Sequence, residues 1–217
     1  MEWRNRVWSD KVVAQLGRNG KVRIWRRKGT AYQQQNTIPN YSDNKLNVMF
    51  WAAITYNVRT DLIPIRRRRL DERTGTRDCG GLNASQYMSD ILVGVLLPFW
   101  CSIHGWMEDM EFMQDGARAY QAQKVIRWFR RRQITIMPWP ARSPDLNPVE
   151  NCWQLLKNRL TRRWHKAGRR PKTRAELMQQ TQEEWDRISQ DVINNLVDSM
   201  PHRVKACIKV RGASTKY

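Results

Sequence analysis

Residues 137–153, Met-Pro-Trp-Pro-Ala-Arg-Ser-Pro-Asp-Leu-Asn-Pro-Val-Glu-Asn-Cys-Trp, restrict this chain more than any other stretch. Pro140, Pro144 and Pro148 fix their own φ angles and withhold backbone donors, so the segment has to approach a helix as a stiff, irregular strand of chain. Asn147 is a natural N-cap, and Pro148 suits the first helical position, where a missing N–H costs nothing. Glu150 then falls at the third helical position, beside the partly positive helix start. Two readings follow. In one, Asn147-x-x-Glu150 is a capping box whose glutamate reaches back to the N-cap amide. In the other, the carboxylate is placed for chemistry.

The sequence upstream bears on that choice. Residues 111–118, Glu-Phe-Met-Gln-Asp-Gly-Ala-Arg, run from a short apolar stretch into an acid, a glycine and a helical pattern. This puts Asp115 at the end of a buried strand, where α/β sheets carry their chemistry. Residues 6–10, Arg-Val-Trp-Ser-Asp, again run apolar into an acid. Asp10, Asp115 and Glu150 are thus expected at strand ends or a helix start.

On these residues the chain resembles the catalytic domain of a Tc/mariner-type transposase. Ser143 to Trp153 matches the family's proline-rich glutamate motif, and Gln114 to Ala117 matches the context of its second aspartate. The 34 residues between Asp115 and Glu150 are the count of one major branch, and Trp8-Ser9-Asp10 matches the context of the first aspartate. Val22 to Gly29, Val48 to Tyr56 and the ending Arg211 to Tyr217 are also similar, so the likeness runs nearly end to end. Three departures stand out. Lys11 replaces the usual second acid after the first aspartate. Tyr120 stands where a histidine is common. Only nine residues precede Asp10, too few for the helix-turn-helix modules family members carry. Successive strand residues face opposite ways, so Lys11 need not enter the site; if the strand ends at Asp10, its ammonium competes with a cation there.

The resemblance implies an RNase H-like α/β fold: a mixed five-stranded sheet flanked by helices over residues 1–165, with a C-terminal helical extension over 172–217 packed on it. It implies an Asp10, Asp115, Glu150 triad holding Mg²⁺ or Mn²⁺, as two ions, for in-line phosphoryl transfer at transposon-end DNA. Asp145 and Asn151 are read as structural, a turn residue and a first-turn helix residue. Family members work as dimers or larger assemblies, so a homodimer is expected. The alternative, motivated by Lys11 and the missing recognition modules, is an inactive or repurposed DNA-binding protein. A weaker third reading is a basic partner of RNA.

Composition agrees with a polyanion partner. The net charge is +19, and between Gln121 and Lys172 there are 14 Lys or Arg against two acids. Arg118, Arg127, Arg130, Arg131, Arg142 and Lys157 are the candidate phosphate contacts. Of the 11 tryptophans, Trp139 is a candidate for base stacking, though core packing is the default for each. Cys79, Cys101, Cys152 and Cys207 lack zinc-site spacing and are read as reduced thiols. His104, His165 and His202 are scattered and read as surface or packing residues. No small-molecule cofactor is expected. The first residues are not a signal peptide, and the apolar run Ile91 to Ile103, interrupted by Pro98, is short for a bilayer span. The chain is therefore expected in the nucleus of a eukaryote, otherwise inside the cell, and not secreted or in a membrane.

Periodicity predicts strands at 4–9, 21–27, 47–56, 109–114 and 133–137. Gly17 to Gly20 and Arg77 to Gly81 read as turns, and 61–71 as an exposed loop or edge strand. Helices are predicted from Asn83 to about Leu97, pausing at Pro98, over 120–132 with Val125, Ile126 and Phe129 inward, and from Pro148 to about Trp164. After a break at 167–171, a Thr173 cap opens one amphipathic helix carrying Leu177, Trp185, Ile188, Val192 and Leu196. A short last helix begins near Pro201.

Overall fold

The computed structural model describes residues 3–16, 29, 46–66, 82–105, 107–141, 143–165, 169–213, 215 and 217. The expected strand 21–27, the turns at 17–20 and 77–81, Cys79 and Arg142 lie outside the described residues.

Among the described residues, five strands form one mixed sheet in the order β3-β2-β1-β4-β5. β1 (Arg6–Gln15) and β2 (Asn47–Ile54) make a long antiparallel ladder from Trp8↔Ile54 to Gln15↔Asn47. β3 (Ile63–Pro64) pairs antiparallel on the outer side of β2, the edge position the sequence allowed. β4 (Glu111–Met113) lies parallel to β1, and β5 (Thr135–Ile136) parallel to β4.

Several boundaries differ from expectation. β1 does not stop at Ser9 but runs to Gln15, because Val12 and Ala14 continue the buried alternation of Trp8 beyond Asp10 and Lys11. Asp10 is therefore a mid-strand residue. β4 begins at Glu111 because Asp109 takes a left-handed conformation (φ 47°), and Gln133 (φ 54°) closes the preceding helix instead of opening β5. At that helix end, the Ile134 N–H donates to the Phe129 carbonyl at 3.2 Å.

Each sheet face covers its own core. On one face Trp8, Val12, Phe50 and Ile54 pack with Trp153 and Leu156 of α4 (Pro148–His165). The same core contains Leu177 and Trp185 of α5 (Arg174–Asp186), Ile193 and Val197 of α6 (Gln190–Asp198), and Met200 of α7 (Met200–Lys209). The expected single helix after Thr173 is thus two. Ser189, in extended conformation, ends the run, and the new phase turns Ile193 and Val197 inward, leaving Val192 and Leu196 half-buried. Arg59 closes the end of α5 by donating to the carbonyls of Asp186 (3.0 Å) and Ile188 (2.5 Å).

The opposite face packs Val7, Trp51 and Phe112 with Tyr87, Ile91, Leu96 and Trp100, and with Val125 and Phe129 of α3 (Gln123–Arg131). In α3 it is Trp128, not Ile126, that joins Val125 and Phe129 as fully buried. The helix Ala84–His104 does not pause at Pro98. α1 (Ala84–Gln86) and α2 (Leu97–His104) flank a wider-wound stretch, Tyr87–Leu96, that closes with Leu97 N–H donating to the Leu92 carbonyl. Pro98 then sits at the start of a new α-helical segment, where it needs no donor. This 21-residue helix is long and apolar enough to cross a membrane by length and composition; Tyr87, Ile91, Leu92, Leu96, Trp100 and Ile103 are buried against the sheet and α3.

Candidate active site

β1 outruns β4. The parallel pairing ends at Trp8↔Met113, while β1 continues to Asp10, paired on its other side with Ala52. The chain leaving β4 therefore turns beside Asp10. Ser9 fixes the corner by donating from Oγ to the Met113 carbonyl at 2.8 Å. Gln114 is buried and accepts from the Tyr87 hydroxyl at 2.8 Å. Asp115 follows and accepts the Ala117 N–H on Oδ1 at 3.0 Å, which shapes the turn into Gly116.

Glu150 arrives from the proline segment. A 3₁₀ turn at Pro144–Leu146 leads to Asn147, whose Oδ1 accepts the Val149 N–H at 3.3 Å. The Asn147 N–H donates to the Pro144 carbonyl at 3.1 Å, so Glu150 does not close a capping box. Its carboxyl instead hydrogen-bonds that of Asp10. Of the two readings open in the sequence, the capping box is not the one formed.

Asp10, Asp115 and Glu150 line one cleft of about 360 Å³, together with Gly116, Trp139, Pro140 and Ser143. Trp139 packs edge-on against Trp8 at 5.7 Å, so it forms a wall of the cleft and a lid of the core at once. Burial raises the pKa of Asp10, even though the Lys11 amide and ammonium pull the other way. Burial also raises Glu150, and with the Asp10 charge and the Glu150-to-Asp10 hydrogen bond it carries the group to about 7. Lys157, two turns along α4, opposes the rise with its charge.

Asp115 is held differently. Lys11 Nζ lies 3.2 Å from Asp115 Oδ2, donates to the Tyr120 hydroxyl at 2.8 Å, and sits 4.3 Å from the Tyr120 ring centroid. Alternation does point Lys11 to the face opposite Asp10, but its length brings the ammonium round to the third acid. The strand runs past Asp10, yet the Lys11 ammonium still reaches the site. Among the described residues, no three His, Cys, Asp or Glu side chains converge on a single ion position. The donor set still suits a hard divalent cation: two carboxylates in contact, each destabilised by burial, and a third on the same cleft.

The other candidates scatter. Arg118 is exposed on the turn after Asp115, and Arg127, Arg130 and Arg131 are exposed on α3. Lys157 is half-buried. Cys101, Cys152 and Cys207 are free thiols, and burial pushes that of Cys152 up to about 12. Asp145 and Asn151 are structural, as expected. The Asp145 carbonyl and Asn151 Oδ1 accept from buried Arg203 at 2.8 and 2.6 Å, and Asp145 Oδ2 accepts from Thr215 N–H and Oγ1. Sequence reasoning missed Arg203. Its signal, a lone arginine at an inward position of the last helix, is visible only once α7 is laid on the turn before Glu150.

Comparison with known proteins agrees with this geometry. Residues 86–185 match the family model described as DDE superfamily endonuclease. The Tcb1 transposase of Caenorhabditis briggsae is 32% identical over 221 residues, covering 100% of this chain and 71% of the relative. The Tc1 transposase of Caenorhabditis elegans is 30% identical over 217 residues with the same coverage. Among solved structures, a Mos1 transposase paired-end complex with left transposon end superposes with a TM-score of 0.72 at 15% identity, covering 99% of this chain and 56% of that one. The Mos1 mariner transposase catalytic domain gives 0.63 at 13% identity, covering 99% and 85%. At such identities the structural likeness bears on the fold, which is that of the Mos1 catalytic domain, RNase H-like, while the sequence relatives bear on descent. The chain belongs to the Tc1/mariner transposase family and corresponds to its DDE catalytic part.

Proposed function

We propose that this chain is the catalytic part of a DNA transposase, cutting and joining strands at transposon ends by phosphoryl transfer. The observation that carries the proposal is that Asp10, Asp115 and Glu150, from a strand, a strand-end turn and a helix start, line one cleft. Family membership supports the same chemistry. In this reading residues 1–165 form the catalytic unit and 172–217 brace it.

Asp10, Asp115 and Glu150 would hold Mg²⁺ or Mn²⁺, as a pair of ions. Bound there, the ions supply Lewis acidity and an activated hydroxyl nucleophile at neutral pH. The chain's own residues set the stage. Ser9 and Asn147 fix the backbone that presents two of the acids. Asp10 and Glu150, whose pKa values burial raises, would be held ionised by positive charge in the cleft. Trp139 and Pro140 close one side against water. Lys157 lies near Glu150, and Arg118 follows Asp115, so both suit phosphate oxygens flanking the reacting bond. Arg127, Arg130 and Arg131 extend the basic surface along α3, and Arg142 belongs to the same set. Two copies acting on paired ends, in a nucleus, complete the proposal.

The test is nicking of supercoiled DNA carrying the element's ends, with Mg²⁺ or Mn²⁺. Asp115→Asn and Glu150→Gln should each lower the rate by about a hundredfold or more. Cleavage unchanged by both substitutions sinks the assignment. A second reading, a DNA-binding protein without cleavage, draws on the Lys11–Asp115 contact. It predicts salt-sensitive DNA binding and no nicking with any divalent ion; stronger binding to an RNA competitor would overturn both readings.

A further inference from the structure

We infer that Lys11 is a built-in counter-ion that competes with divalent metal for Asp115, so that metal loading requires the ammonium to leave. The inference rests on the metal-holding role proposed for the three acids and goes beyond it.

Three observations carry it. First, among the described residues the Lys11 ammonium meets the Asp115 carboxylate at 3.2 Å and one other polar partner. Second, its other partner is a fixed perch. The Tyr120 hydroxyl accepts at 2.8 Å, and the ring lies under the ammonium at 4.3 Å. Tyr120 is itself buried and packs at a tilt against Tyr87, ring centroids 4.2 Å apart, and burial raises the pKa of its phenol. Lys11 can therefore swing off Asp115 without losing its second contact. Third, Asp115 Oδ1 already accepts the Ala117 N–H, which anchors that oxygen to the turn, and Lys11 takes Oδ2, so a cation reaching Asp115 meets the ammonium's charge beside it. The carboxylate that a cation would approach from the cleft is thus already matched by a lysine.

Two cations brought to one carboxylate oxygen repel each other, so removing the ammonium should tighten metal binding. Salt bridges of this exposure are modest, and the expected gain is on the order of tenfold in Kd. The experiment is a Mn²⁺ titration of the full chain, read as free Mn²⁺ by electron paramagnetic resonance. Lys11→Met should bind Mn²⁺ about tenfold tighter than the wild type, Lys11→Arg should match the wild type, and adding Asp115→Asn to Lys11→Met should erase the gain. Thermal melts in chelator confirm folding, and Lys11→Gln is read instead if the methionine variant does not fold. Equal affinity of wild type and Lys11→Met overturns the inference while leaving the metal role intact. So does a gain that survives Asp115→Asn, since it is then not competition at Asp115. If no variant binds Mn²⁺ saturably, the metal role itself fails and the inference falls with it.

Discussion

At the scale of single residues, the site consists of acids under stress. Glu150 ordinarily titrates at 4.5 and here reaches about 7, so the folded protein binds its proton more tightly than the unfolded chain does. That proton linkage favours the metal-free fold fully below pH 4.5 and is lost as pH rises through about 7. Glu150→Gln removes the ionisable group. In chelator at pH 8 the variant should therefore be more stable than the wild type, by on the order of 1–2 kcal/mol once solvent screening of this half-exposed group is discounted. At pH 4 the difference should vanish. Thermal melts at the two pH values measure it, and equal melting at pH 8 would show that Glu150 is not strained by Asp10. Added Mg²⁺ should reverse the order, because the wild-type acid then has a charge to meet.

At the scale of elements, the acids were legible because motif residues announce backbone events: proline before a helix, glycine after an acid, a cap before a run. Asp115 and Glu150 could be placed from those signals alone. Asp10 could not, since a polar pair in the middle of β1 looks like its end; only the ladder with β2 carries the strand on to Gln15. The break at Ser189 was hidden for a similar reason, because Leu177, Trp185, Ile188, Val192 and Leu196 fit one helical phase and the structure uses two. Contacts across elements were the least legible. Arg203 of α7 ties the 3₁₀ turn and the first turn of α4 together, and its guanidinium faces the Tyr217 ring at 4.9 Å. Removing it leaves Asn151 and the Asp145 carbonyl without their donor. Arg203→Met should cost on the order of 2–4 kcal/mol in urea unfolding. A cost near zero would mean the clasp is not what steadies the approach to Glu150.

At the scale of the whole molecule, charge dominates. A net +19 on 217 residues makes binding to any polyanion strong at low salt, so affinity alone says little about specificity. The informative quantity is the slope of log affinity against log salt. Replacing Arg127, Arg130 and Arg131 with Gln should reduce that slope by about three and weaken binding evenly across DNA sequences. Fluorescence anisotropy at several KCl concentrations measures both, and an unchanged slope would turn α3 away from the DNA. The same scale explains the fold's tolerance of so much like charge. Arg4 with Asp198, and Arg163 with Glu183 and Glu184, spread the few acids to where the C-terminal helices meet the rest of the chain.

Asp10 and Lys11 are neighbours whose side chains leave β1 toward different cores, one beside Glu150 and one beside Tyr120. A single inserted residue just ahead of them would hand the ammonium to the glutamate and the carboxylate to the phenol. The eight rungs shared with β2 forbid such a slide. Length upstream of the first acid is thus free to vary only before Arg6, and the spacing from there to Lys11 is fixed by the sheet as firmly as any side chain.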